Sequence, residues 1–147
     1  MNKIVLTRGI PASGKTTFAR RWVEEDPENR VRINMDDIRN MLGPYWVPNR
    51  EKLVRAIKEE SLWSAMIFHK DIILDNMNLN LHELSYVHQA IETLIKSEGY
   101  TYIIEFIDFK TPLDVCIDRD SKREHSIGEQ VITEIYNKYK DFYESSL

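Results

Sequence analysis

The chain has 147 residues, 42% of them apolar and 30% charged, with a formal charge of −4, which suits one soluble domain with a real core. No apolar run is long enough to span a bilayer, no signal-peptide pattern opens the chain, and the acidic balance argues against a general nucleic-acid coat. Cys116 is the only cysteine, which excludes an intrachain disulfide and reads as a packing residue. The expectation is therefore a single cytoplasmic domain over residues 1–147, complete from its first residue, with no membrane partner.

In chain order, Lys3–Arg8 reads as a buried strand and Thr16 to about Glu25 as a helix stopped near Pro27. Arg30–Asn34 is a short second strand, and a brief helix over Asp36–Leu42 is broken by Gly43-Pro44. Asn49–His69 reads as one long helix burying Leu53, Ile57, Trp63, Met66 and Ile67. Asp71–Asp75 is apolar enough for a central parallel strand. Leu84, Val87, Ile91, Leu94 and Ile95 then repeat at helical spacing up to a closing Gly99. Tyr100–Asp108 is the fourth strand, and Pro112 opens a helix running through Cys116 to Arg123. A last helix from about Glu129 carries Ile132, Ile135, Tyr136, Tyr139, Phe142 and Tyr143 on one stripe. Strands alternating with helices over such long connections predict an α/β three-layer domain: a parallel sheet of four or five strands, helices on both faces, right-handed crossovers.

Gly9-x-x-x-x-Gly14-Lys15-Thr16 has Walker A spacing between a predicted strand and a predicted helix. Glycines let the backbone over Gly9, Pro11, Ala12, Ser13 and Gly14 turn so that its N–H groups surround phosphate oxygens, and the helix start adds its partial positive charge. Proline itself contributes only conformation there, having no N–H. Lys15 is expected on the β- and γ-phosphates, the Thr16 hydroxyl on Mg²⁺, and Thr17 as a further donor to phosphate. Among the classes that use such a loop, a GTPase would carry Asn-Lys-x-Asp after a strand, and Asn137-Lys138-Tyr139-Lys140-Asp141 has the wrong spacing. A mechanical ATPase would end its Walker B strand in an acidic pair, whereas Asp75 is followed by Asn76. A kinase remains.

Asn34-Met35-Asp36-Asp37-Ile38-Arg39 follows the second strand, at the sheet edge that carries the phosphate loop. Asp36 could accept the proton of an attacking hydroxyl and Arg39, one turn on, could grip an acceptor phosphate. A helix N-cap with first-turn acids explains the same residues without chemistry. Asp118 to His125 is a charged cluster between two predicted helices, readable either as a solvated run or as a lid presenting Arg119 and Arg123 to a transferring phosphoryl group. The four histidines show no zinc-ligand spacing.

Taken together, Gly-x-Pro-x-Ser-Gly-Lys-Thr-Thr at 9–17, the Asn34 to Arg39 motif, Asp-x-x-Asn-Leu-Asn at 75–80 and Arg119-x-Ser-Lys-Arg123 resemble the kinase domain of bacteriophage polynucleotide kinases. The resemblance implies a P-loop kinase fold with a lid, and transfer of the γ-phosphate of ATP, with Mg²⁺, to the 5′-hydroxyl of DNA or RNA ends in nucleic-acid repair. It implies Asp36 as general base, Arg39 and Asn78 as acceptor contacts, and Lys15, Arg119 and Arg123 on the donor phosphates and the group in transfer. Thr16 and an acid at the end of the third strand would serve the metal; that acid aligns with Asp75 or, one place on, with Asn76. Functional pairing with a nucleic-acid ligase also follows from the resemblance. No Asp-x-Asp phosphatase motif follows a strand, so no 3′-phosphatase activity is expected. The stretch Gly43–Lys58, with Tyr45, Trp46, Arg50, Lys52, Arg55 and Lys58, reads either as a stacking and charged surface for a strand end or as a packed aromatic pair beside a solvated helix face.

Overall fold

The computed structural model describes residues 1–144. Four strands, β1 (Asn2–Arg8), β2 (Arg30–Ile33), β3 (Asp71–Leu74) and β4 (Tyr102–Asp108), form one sheet in the order β2-β3-β1-β4. Every pairing is parallel, with Ile4, Val5 and Leu6 beside Ile72, Ile73 and Leu74. Around it lie α1 (Lys15–Glu24), α2 (Met35–Met41), α3 (Glu51–Ile67), α4 (Leu81–Glu98), α5 (Leu113–Ser121), α6 (Glu129–Lys138) and α7 (Lys140–Glu144).

The two-residue period of the strands sorts the core into two faces. Ile4, Leu6, Ile72 and Leu74 point to one side and pack with Leu62 and Met66 of α3 and Val87, Ala90, Ile91 and Leu94 of α4. Val5 and Ile73 point to the other and meet Ala19 and Trp22 of α1. Both faces are thus covered, which is why β1 and β3 carry unbroken apolar runs. Each fully buried Ile or Leu here contributes about 1.5–3 kcal/mol.

Adjacent strands β1 and β3 send their chains to opposite faces, α1 to one and α4 to the other. A crevice opens at their carboxyl ends, the place where doubly wound sheets bind ligands.

Three expectations change. The long helix begins as a 3-10 turn at Pro48–Arg50, and its buried stripe is Val54, Lys58, Leu62 and Met66; of the expected residues Met66 is buried, Ile57 and Trp63 are half-buried, and Leu53 and Ile67 are exposed. Leu53 is 49% exposed. The stripe was hidden because one of its members is a lysine, tied to Glu83 of α4 by a buried ion pair. In α4, Ile95 is exposed and Ala90 takes the buried place. The last helix breaks at Tyr139 into α6 and α7, which turns Tyr143 back until its hydroxyl oxygen accepts the Ile10 N–H at 3.0 Å.

Candidate active site

The phosphate loop is shaped by contacts no other residue type allows. A Cβ on Gly9 would lie 2.8 Å from the Phe109 carbonyl oxygen and 2.7 Å from Ser13 Oγ. Gly14 ends the loop at φ 108° and passes into α1 with no side chain capping the helix. The first-turn N–H groups of α1 therefore face a cleft of about 800 Å³, lined by Ala12 to Phe18 and by Arg119 and Arg123.

Lys15 is buried, and its ammonium donates to the carbonyls of Gly9 (2.9 Å) and Ile10 (2.7 Å) and to Ser13 Oγ (3.3 Å). Burial pushes its pKa down to about 8, partly opposed by Asp75, while Arg123 lowers it and Asp36 raises it further. The charges of Asp75, Arg123 and Asp36 are thus all felt at this one ammonium. Asp75 is 1% exposed. Its Oδ2 accepts Arg32 Nε at 2.7 Å, and its Oδ1 is buried with no partner. Asn76 instead uses its Oδ1 to accept the Met35 N–H and start α2.

The acceptor side is a network. Asn34 caps α2 by accepting the Asp37 N–H, while its Nδ2 donates to the Asp75 carbonyl. Asp36 Oδ1 accepts Arg39 at 2.6 Å and the Tyr45 hydroxyl at 2.8 Å; its Oδ2 accepts nothing among the described residues. Arg39 gives two more bonds to Glu51, at 3.0 and 2.7 Å. The bond from Arg39 holds the Glu51 carboxyl below its usual range, and burial with Asp36 alongside keeps the proton on Tyr45.

On the lid, Asp120 is buried at the end of α5 and accepts the N–H groups of Ile127 (3.0 Å) and Gly128 (2.9 Å) and Arg123 at 2.9 Å. Burial opposes its ionisation, but these donors outweigh that and hold its carboxyl below the usual range. Arg119 reaches the Ala12 carbonyl at 3.5 Å, across the mouth of the cleft.

Lys15, Thr16, Thr17, Arg119 and Arg123 thus line one cleft, and Asp75 and Asp36 act on Lys15 through their charge. Asn78 does not join them. It is 4% exposed, its Nδ2 ties β1 to β3 through the carbonyls of Thr7, Leu74 and Asn76, and its Oδ1 is buried with no partner. Sequence reasoning missed Thr111, which lines the cleft and donates to the Ser13 carbonyl at 2.8 Å, and Phe109, which packs against the loop. Their place just past the end of β4 was the available signal. Glu51 and Tyr143 carried no signal, because their partners Arg39 and Ile10 lie on other parts of the chain.

The fold and this site define a P-loop kinase domain. The AAA-domain family profile spans residues 4–145, and the chain belongs to that family. It is 22% identical over 139 residues to the L-seryl-tRNA(Sec) kinase of Methanococcus maripaludis, across 92% of this chain and 52% of that protein. It superposes on a chain of the Pnkp1/Rnl/Hen1 RNA repair complex with a TM-score of 0.72 at 24% identity, covering 97% of this chain and 45% of the other. A second structure of the Pnkp1/Rnl/Hen1 complex gives 0.63 at 26% identity, covering 86% and 40%. The chain therefore spans about half the length of the curated relative it matches.

Such kinases use ATP and, as a rule, Mg²⁺. The residues present fit both: an uncapped helix start with Lys15, Arg119 and Arg123 for phosphates, and hard oxygen donors for the metal in the Thr16 hydroxyl and the orphaned Asp75 Oδ1. Among the described residues no helix is long and apolar enough to cross a membrane.

Proposed function

We propose that the chain is a polynucleotide 5′-hydroxyl kinase domain, acting with ATP and Mg²⁺ on DNA or RNA ends. The observation that carries the reading is Asp36: a carboxylate 57% exposed, held by Arg39 and Tyr45 through one oxygen, at the start of α2 on the sheet edge that also carries the phosphate loop. Free Oδ2 orients the acceptor hydroxyl and takes its proton as the new O–P bond forms. ATP, when bound on the phosphate loop, would supply the phosphoryl group as its bond to the β–γ bridging oxygen breaks, and Mg²⁺ held by Thr16 and Asp75 would offset the charge. Lys15 holds the donor phosphates, and Arg119 and Arg123 stabilise the group in flight. Arg39, pinned by Glu51, would grip the acceptor's own phosphate.

Likeness at 26% identity to a chain of an RNA repair complex supports a nucleic-acid acceptor and work beside other end-healing enzymes, a ligase among them. A single domain in the cytoplasm fits that setting. The relative named for a seryl-tRNA acceptor favours one alternative, a kinase of a hydroxyl carried on RNA other than the 5′ end.

The test is transfer of label from γ-labelled ATP to a 5′-hydroxyl oligonucleotide, beside a free nucleoside and a seryl-tRNA. Label on the oligonucleotide that falls about 10²–10⁴-fold in Asp36→Ala, with ATP still bound, is the expected result. Label on the nucleoside or the seryl-tRNA alone rejects the reading.

A further inference from the structure

The loop between α2 and α3 is more rigidly held than an exposed connection needs to be. Gly43 leaves α2 at φ 125°, in the left-handed region that favours glycine. Arg50 then reaches back under the loop, donating to the carbonyls of Leu42 (3.2 Å), Arg39 (3.4 Å) and Pro44. This guanidinium staples the loop onto the end of α2, and its Nε is buried without a partner. The staple holds Tyr45 where its hydroxyl meets Asp36 at 2.8 Å and its ring stands 5.8 Å from the Arg39 guanidinium.

Yet the same loop leaves apolar surface bare. Tyr45 is 43% exposed and Trp46 61%, with Met41 exposed at the end of α2. A tryptophan left open on a loop that an arginine has fixed gains nothing for the fold. A flat ring held in place at low entropic cost is, however, what a nucleobase stacks on. The patch is continuous, through the Tyr45 hydroxyl, with the carboxylate assigned to the acceptor hydroxyl.

Resting on the polynucleotide reading, we infer that the Gly43–Arg50 loop is a preset platform for the acceptor's terminal nucleoside. Tyr45 is a positioning residue that fixes which oxygen of Asp36 is free. Trp46 offers its face to the terminal base. The acceptor is thereby selected by a base on the reacting sugar, whatever that base is, since stacking does not read hydrogen-bonding edges.

The experiment compares two oligonucleotides, alike except that one has an abasic sugar at its 5′-hydroxyl end. Wild type is expected to favour the base-bearing acceptor about tenfold or more in kcat/KM, the scale of one stacking contact. In Trp46→Ala that ratio falls below about threefold, and in Trp46→Phe most of it returns. Tyr45→Phe lowers kcat on both acceptors with little change in KM, a split that mere loosening of the loop would not produce. A wild-type ratio near one, or a ratio unmoved by Trp46→Ala, overturns the platform. So does a change of oligomeric state on Trp46→Ala with the ratio intact, which would make the patch a protein contact. Label on neither acceptor rejects the polynucleotide reading itself, and the platform with it.

Discussion

The two halves of the cleft are built in opposite ways. The donor half is built on one unbroken stretch, Gly9 to Thr17, carrying the glycines, the lysine and the helix start, to which the end of α5 adds Arg119 and Arg123. The acceptor half is assembled: Asp36 and Arg39 from α2, Tyr45 from a loop, Glu51 from the start of α3, with Arg50 holding the loop in place. A contiguous site is fixed by chain connectivity, whereas an assembled one depends on hydrogen bonds between exposed or half-buried groups. Failure of the first should abolish chemistry, and disturbance of the second should grade it.

The largest effect should come from the donor side. Arg123→Ala is expected to lower kcat about 10³-fold, on the scale of an arginine that stabilises a phosphoryl group in flight, with ATP affinity changed by less than about tenfold. Single-turnover label transfer beside equilibrium ATP binding checks this. An affinity loss as large as the rate loss would instead make Arg123 a ground-state contact.

Glu51→Gln probes the assembled half. Arg39 loses the charge of its two-bonded partner while Asp36 is untouched. Acceptor KM should rise about five- to tenfold with kcat within about threefold, read from initial rates at saturating ATP. A drop in kcat alone would place Arg39 on the base rather than on the acceptor.

The smallest effect concerns protons. Because Lys15 titrates near 8 rather than 10.5, the free protein sheds that proton as pH rises through 8, and bound phosphates restore it. ATP binding at about pH 8.5–9 should take up part of one proton, and none at about pH 6.5. Calorimetry in two buffers of different ionisation enthalpy measures this, and Lys15→Met should abolish it. The unfolded chain keeps this proton up to 10.5, so Lys15's contribution to stability rises with pH between 8 and 10.5. A donor site whose lysine is charged throughout would show neither trend.

The sequence by itself determined the donor site, the alternation of strands and helices, and the sheet edge where chemistry sits. Each rests on a short-range rule: loop spacing, a two- or four-residue period, a glycine at a turn. It placed Asp36, Lys15 and Arg123 in one region because they follow the ends of strands or a helix that the topology gathers there. Only the tertiary structure decided what depends on partners far apart in the chain. It buried Asn78 and set its Nδ2 on three carbonyls, and it showed which Asp36 oxygen is engaged. It moved the buried stripe of α3 onto Lys58, whose charge is matched by Glu83 on α4, a pairing that no period within α3 can reveal. Hydrophobic periodicity records which face of one element is apolar, but an ion pair between two elements leaves its signature only where they meet.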